Sequence, residues 1–351
     1  MPKMIPAFSA RLLAWHKRHG RHDLPWQGTR DAYRIWLAEI MLQQTQVAAV
    51  IPYYRRFLER FPDIAALAAA PQDEVLRLWS GLGYYSRARN LQRAAQLVVE
   101  RHRGAFPREL AAIQALPGIG RSTAAAIAAF AYGTRAAILD GNVKRVLARH
   151  FAVAGFPGER NVEQRLWQLA EELLPPRDMG RYTQALMDLG ATLCTRAKPA
   201  CGACPLAASC RALALERVAE FPAPRPARRV PVRSVFMLLL MRKGELLLEK
   251  RAPAGIWGGL WSLPELDDET RLRAHCRARY GCSVAAPQRL EPLTHGFTHF
   301  KLEIRPLLCR VEKLAPVARE AAQVWLGLED AHGAAIPVPV RRLIERLLAK
   351  A

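Results

Sequence analysis

The chain has 351 residues, long for a single domain, and 51% of them are hydrophobic, enough for packed cores. Lys and Arg number 52 against 31 Asp and Glu, a net charge of +21 that favours a polyanionic partner, nucleic acid before an anionic membrane surface, although an Arg-rich proteome would give the same sum. No apolar run reaches the ~18 residues of a membrane span and the N-terminus lacks a signal-peptide core, so a cytoplasmic location is expected, with the seven cysteines as thiols or metal ligands.

From Phe8 to His19 an amphipathic pattern predicts a helix that stops at Gly20, and an irregular Leu24-Pro25-Trp26 follows. Asp31 suits an N-cap, and the next stretch is apolar nearly all round until Pro52, which reads as a buried helix. Glu39 sits in its middle, flanked by Leu37, Ile40, Met41 and Leu42. A buried carboxylate either finds a partner, as an ordinary core residue, or keeps its proton through a raised pKa. The second state is what a general acid needs. The adjoining Gln43-Gln44-Thr45-Gln46 offers three long amides to hydrogen-bonding edges.

Helical patterns continue through residue 214, at Pro52–Arg60, Asp73–Ser80, Tyr85–His102, Arg108–Ala115, Ser122–Tyr132, Asn142–His150, Asn161–Leu174 and Gly180–Leu193. Among them, the stretch Trp79 to Leu91 joins a glycine turn, Tyr84-Tyr85, Arg87 and Arg89. That mixture suits phosphate contact with a ring wedged into a base stack, although an aromatic pair also suits a core. In Leu116-Pro-Gly-Ile-Gly-Arg-Ser-Thr123, Gly118 and Gly120 free the backbone to turn and expose N–H groups at the head of the next helix. This is a helix-hairpin-helix, a sequence-independent phosphate clamp; a turn without a ligand would look the same. Asp140 heads the following helix, in Leu139-Asp-Gly-Asn142. Alone it is an N-cap; beside Glu39 it is a candidate second carboxylate, with Lys144 and Arg145 pointing toward an anion.

The most specific spacing is Cys194-x6-Cys201-x2-Cys204-x5-Cys210. Four thiolates on a short loop can close a structural zinc site or hold a [4Fe–4S] cluster. Zinc ribbons present two separated Cys-x2-Cys pairs, and only one occurs here, so the spacing favours the cluster. Cys276, Cys282 and Cys309 read as ordinary thiols. A Pro/Arg-rich linker is expected at 217–231, after which the period becomes strand-like: Val232–Met241 and Glu245–Glu249 around the turn Arg242-Lys243-Gly244, then Phe300–Arg305 and Val324–Leu326. Asp268–Arg279 and Val338–Lys350 read as helices. The expected fold is multidomain: an all-α domain (1–216, cluster loop 194–210), the linker, and a smaller α+β domain (232–351).

Taken together and in this order, these pieces resemble the helix-hairpin-helix DNA glycosylases of the endonuclease III superfamily, and within it the MutY-type adenine DNA glycosylases. The likeness runs from Leu24-Pro25-Trp26 through the C-terminal domain. It implies Glu39 as proton donor to the leaving adenine and Asp140 as stabiliser, or transient nucleophile, for the sugar cation. Endonuclease III-like lyases carry a lysine directly after the hairpin's Gly-x-Gly-x, where this chain has Ser122, so monofunctional hydrolysis is implied. Gln44 and Tyr84 would fill or wedge the stack, Trp26 and Gln184 would line the pocket of the flipped adenine, and Gly118, Gly120, Ser122 and Asn142 would lie against DNA. Cys194, Cys201, Cys204 and Cys210 would hold the [4Fe–4S] cluster.

The C-terminal part is similar to the family's Nudix-like domain, notably at Gly255-Ile-Trp-Gly-Gly-Leu-Trp-Ser-Leu-Pro264. Arg271, Arg273, Arg277 and Arg279 stand where a catalytic Nudix helix needs clustered glutamates, so pyrophosphate hydrolysis is not expected. Phe297-Thr298-His299 resembles the loop that senses 8-oxoguanine opposite adenine, with Thr298 replacing the usual serine. The implied partner is double-stranded DNA carrying adenine opposite 8-oxoguanine or guanine, bound by a monomer. Two alternatives stand beside this: a glycosylase/lyase acting on damaged pyrimidines, and a non-catalytic iron–sulfur DNA-binding scaffold.

Overall fold

A computed structural model describes residues 4–226, 230–315 and 322–349. Positions 227–229 of the expected linker and Lys350 of the last expected helix lie outside the described residues. The chain divides into two units: Met1–Ala69 with Asn90–Ala227, and Ala70–Arg89 with Arg228–Ala351.

The first unit is helical. Its N-terminal part holds α1 (Met4–His19), α2 (Ala32–Leu42), α3 (Val47–Arg60) and α4 (Ile64–Ala69). Then α5 (Gln72–Trp79) falls within the second unit, and α6 (Ser86–His102) crosses the division in sequence. The first unit resumes with α7 (Leu110–Gln114), α8 (Arg121–Tyr132), α9 (Gly141–Phe151), α10 (Arg160–Glu172), α11 (Met179–Asp188) and α12 (Arg211–Ala214). One core gathers Leu12 of α1, Ala126 and Ala129 of α8, Leu147 of α9, Leu166 and Leu169 of α10, and Tyr182 of α11. Each fully buried leucine there contributes about 1.5–3 kcal/mol over an exposed one. The alanines of α8 let neighbours come close: a Cβ on Gly180 of α11 would stand 3.2 Å from the Ala129 carbonyl oxygen.

The helix expected up to Pro52 is two helices. Asp31 caps α2, its carboxylate accepting from the Tyr33 N–H at 2.9 Å, a contact worth about 1 kcal/mol. The helix ends at Leu42, because Gln44 adopts a left-handed φ of 57°. Pro52 lies inside α3 instead of starting a helix. Ala48, whose carbonyl it leaves without an intrahelical donor, is exposed to solvent. The helix expected at Gly180–Leu193 is regular only to Asp188, and Leu189–Leu193 form a π turn.

In the second unit, nine strands among the described residues form one sheet of order β3-β2-β1-β8-β5, with β4 on β1, β6 and β7 on β8, and β9 on β2. They are β1 (Val232–Arg242), β2 (Glu245–Lys250), β3 (Trp261–Ser262), β4 (Glu265–Leu266), β5 (Cys282–Val284), β6 (Gln288–Arg289), β7 (Leu293–Gly296), β8 (Lys301–Leu314) and β9 (Gln323–Gly327). The β1–β2 hairpin turns through Lys243 and Gly244, both with positive φ, as a two-residue turn requires. Strands β1 and β8 run parallel, from Val232 opposite Lys301 to Met241 opposite Arg310. Leu238 and Leu240 of β1 pack with Leu272, Cys276 and Tyr280 of α13 (Leu272–Tyr280), and Met237 and Leu239 on the other face are equally buried. Cys276, Cys282 and Cys309 are core thiols of this cluster. Helices α14 (Leu328–Gly333) and α15 (Val338–Leu348) also belong to this unit.

Candidate active site

Within the first unit, α2 delivers Glu39 to a cavity of about 320 Å³ lined also by Trp26, Gln27, Ile35, Phe130 and Gln184. The flanking residues Leu37, Ala38, Ile40 and Met41 are almost fully buried, while Glu39 is half-buried and lines the cavity. Burial, reinforced by the charge of Asp140, pushes the Glu39 pKa up to about 8. A cavity-lining carboxyl that holds its proton at neutral pH is an acid in waiting.

Asp140 reaches Glu39 electrostatically through the N-terminus of α9. It caps that helix, accepting from the Val143 N–H at 2.8 Å. Burial raises its pKa, while the N–H groups of Val143 and Asn142 and the charges of Arg145 and Lys144 favour the anion. Glu39 is thus raised by burial first and by the negative charge of Asp140 second, the kind of coupling that pushes two neighbouring carboxyls apart in their titration. Ser122, at the head of α8, accepts the Leu139 N–H at 2.9 Å and so ties the residue before Asp140 to the hairpin. The two cations have direct partners of their own. Lys144 pairs with Glu163 at 2.6 Å, and Arg145 donates to the carbonyls of Cys194 and Gly190 and to Asn142 Oδ1, each within 2.8 Å. Their influence on Asp140 is through space.

Trp26 is buried against Tyr54, ring centroids 5.3 Å apart, and it lines the cavity together with Gln184. At the hairpin Gly118 has a φ of 79°, and a Cβ there would also meet Asn90 at 2.9 Å. Gly120 caps α8 with an ordinary φ and open space around it, which leaves the backbone uncovered. Gln44 is exposed, whereas its neighbour Gln43 turns inward, 3.4 Å from Thr123 Oγ1. Asn142 serves packing: a Cβ on Gly190 would fall 2.5 Å from its own Cβ.

The four loop cysteines are half-buried free thiols. Burial, and then the proximity of Cys194, Cys210 and Cys201, pushes the Cys204 pKa up to about 11, so the four sulfurs sense one another. Backbone N–H groups point at Cys204 and Cys210, and Arg149 stands 3.4 Å from Cys194 Sγ. Among the described residues no group of three or more metal-type side chains converges on a single-ion site.

In the second unit, Phe297, Thr298 and His299 form the tip of the β7–β8 hairpin. Phe297 stacks on Phe300 at 4.5 Å, and Thr298 and His299 are exposed. The tip lines a cavity of about 700 Å³ with Tyr84, Arg89 and Trp257. Tyr84 keeps 43% of its surface exposed at a left-handed φ of 48°. Trp257 is buried, also left-handed (φ 56°), and lies 5.6 Å from the Phe297 ring and 5.8 Å from His295. Such a backbone costs about 1–3 kcal/mol for a bulky residue and persists only where packing fixes it.

Two family profiles match the chain: HhH-GPD superfamily base excision DNA repair protein over residues 37–172, and NUDIX domain over residues 235–346. The adenine DNA glycosylase of Buchnera aphidicola (subsp. Acyrthosiphon pisum, strain APS) is 34% identical over 339 residues, spanning 96% of this chain and 97% of the relative. That of Homo sapiens is 35% identical over 402 residues, spanning 97% and 73%. The chain belongs to the adenine DNA glycosylase family. The helical half agrees in shape with a solved thermostable thymine-DNA glycosylase, at a TM-score of 0.56 and 31% identity over 61% of this chain and 98% of that one.

In this adenine DNA glycosylase family member, two buried polar centres were not apparent from the sequence. Arg149, in the last turn of α9, is 3% exposed and donates to the carbonyls of Thr195, Arg196 and Phe221, fastening the cysteine loop. Asp188, fully buried at the end of α11, accepts from the backbone N–H and Nε of Arg21 and from Gln184. Both lie on faces that periodicity marks as core. Only their charge, at positions where a charge must be paired, signals them. Among the described residues no helix is long and apolar enough to cross a membrane.

Proposed function

We propose that this chain removes adenine from DNA, where it lies opposite 8-oxoguanine or guanine, by hydrolysing the N-glycosidic bond without cutting the strand. The observation that carries the reading is Glu39: a carboxyl raised to about 8, facing a base-sized cavity and electrostatically paired with Asp140. Adenine leaves poorly as an anion, so Glu39 protonates its N7 and weakens the bond. The sugar then takes on oxocarbenium character, which ionised Asp140 stabilises, or captures briefly, before water arrives. The adenine reaches the cavity by flipping, at a cost of a few kcal/mol. Trp26 and Gln184 hold it, Gln44 and Tyr84 fill the gap in the stack, and Phe297, Thr298 and His299 sense the opposite base. The backbone at Gly118 and Gly120, with Ser122 and Asn142 behind it, meets phosphate. Ser122 offers no amine for a Schiff base, which favours hydrolysis over lyase chemistry.

Cys194, Cys201, Cys204 and Cys210 fit a [4Fe–4S] cluster: four mutually sensing thiols, backbone N–H groups aimed at two of them and an arginine at a third. A cluster held there would keep the loop folded, apart from the hydrolysis assigned to Glu39 and Asp140. The test incubates the protein with duplexes carrying adenine opposite 8-oxoguanine, guanine or thymine, and resolves the products with and without alkali. Strand breaks only after alkali, strongest opposite 8-oxoguanine, are expected. Breaks without alkali would remove the monofunctional reading, and DNA binding without adenine release would favour the scaffold.

A further inference from the structure

Behind Gln184, which lines the cavity beside Glu39, lies a buried charge that the hydrolysis just described does not use. Asp188 is fully buried, and Arg21 holds it through three contacts: backbone N to Oδ2 at 2.8 Å, Nε to Oδ1 at 2.8 Å, and Nη2 to Oδ1 at 2.6 Å. His16 Nε2 lies 3.3 Å from Oδ2. Burial alone would raise the Asp188 pKa. The close approach of His16, hydrogen bonds from the Arg21 backbone and Gln184, and the Arg21 charge more than offset this, and Asp188 sits below the usual carboxylate range. It is therefore an anion and can only accept. Its remaining contact is Gln184 Nε2, donating to Oδ1 at 2.9 Å.

A glutamine amide has a donor end and an acceptor end that exchange places by rotation about one bond, and in isolation nothing chooses between them. Here a buried acceptor-only group binds one end, so the NH₂ is committed to Asp188. Gln184 borders the cavity, and among the described residues no protein donor meets its Oε1. We infer that Asp188, clamped by Arg21 and His16, is a positioning residue that fixes the Gln184 amide with its oxygen toward the cavity, so that the site selects a base bearing an exocyclic amine over one bearing a carbonyl.

Adenine and hypoxanthine make the discriminating pair, since they share shape and N7 and differ at position 6 in amine against carbonyl. An oxygen fixed toward that position accepts from the amine and opposes the carbonyl, and a buried mismatch of this kind rejects far more strongly than a lost methylene does. The inference rests on the reading of this cavity as the adenine site, and the two are separable. If Glu39→Gln retained full adenine release, the cavity reading would fail. If Glu39→Gln were inactive but position 6 were not discriminated through Asp188, the inference alone would fail.

The experiment measures single-turnover release of adenine and of hypoxanthine from otherwise identical duplexes, in four proteins: the unaltered chain, Asp188→Asn, Gln184→Met and the double variant. The readout is the ratio of the two rates within each preparation, which the amount of folded protein does not move. Asp188→Asn, which can donate as well as accept, should cut the adenine preference by about 10-fold or more. Gln184→Met should cut it similarly, and adding Asp188→Asn to Gln184→Met should change it no further, because no amide remains to orient. An unchanged ratio in Asp188→Asn, or an equal shift with and without Gln184, would overturn the proposal. Should Asp188→Asn not fold, Gln184→Met still decides: an unaltered adenine preference there would mean that the amide does not read position 6.

Discussion

Glu39 carries two opposite obligations, and each gives a measurement. As the proposed acid it must hold its proton, which burial and the Asp140 charge favour up to about pH 8. Single-turnover adenine release should therefore be nearly flat through neutrality and fall about tenfold per pH unit above that value. A basic limb starting near pH 5 would remove Glu39 as the donor. As a buried group it strains the fold. The unfolded chain releases this proton near the ordinary 4.5, whereas the folded chain keeps it to about 8. Between those values the native state binds more protons, so stability falls as pH rises across that window. Glu39→Gln, uncharged throughout, should be inactive yet more stable than the parent at pH 8, by on the order of 1–3 kcal/mol. Urea unfolding of both proteins at pH 5 and pH 8 tests this, since the gap should appear only at the higher pH.

The elements around the site are joined by close passes that tolerate little change. Ser122 binds the Leu139 N–H, so Ser122→Ala leaves that donor without its partner and should cost about 1 kcal/mol, seen as a lower denaturation midpoint. Gly190 is tighter: its Cβ would overlap Asn142, and its carbonyl is held by Arg145, which also grips Cys194. Gly190→Ala should destabilise by about 1–3 kcal/mol and slow adenine release more than it weakens DNA binding, because the shift is transmitted to the N-terminus of α9 that presents Asp140. Equal rates in parent and variant would separate the two elements. The sequence shows helix starts well where a cap residue acts locally, as at Asp31 and Asp140. It hides what neighbours impose: the left-handed Gln44 that ends α2, the π turn after Asp188, and the continuation of β8 past Pro306, sustained by its parallel pairing with β1.

At the scale of the whole chain, the candidate site residues that the sequence offers are those whose chemistry is unusual for their pattern: a carboxylate in an apolar helix, four closely spaced thiols, glycines before a helix. Asp188 and Arg149 escape because their partners lie far off in the chain, and spacing carries no trace of Arg21 or of the Thr195 carbonyl. The net charge of +21 and the hairpin tip of the second unit make a further separable pair. Charge acts on any duplex: affinity should fall with salt along a log–log line whose slope is about −0.9 per phosphate neutralised, alike for undamaged and mispaired DNA. Discrimination of the opposite base should follow local packing instead. Trp257 holds the aromatic tip through Phe297 and His295, from a backbone conformation that few bulky residues adopt. Trp257→Ala should therefore reduce the preference for adenine opposite 8-oxoguanine over adenine opposite guanine by about 10-fold, leaving the salt slope as it was. A binding titration from 50 to 200 mM salt on both duplexes, in parent and variant, checks both halves. A changed slope would place Trp257 in the phosphate track, and an unchanged preference would free the tip from its dependence on that ring.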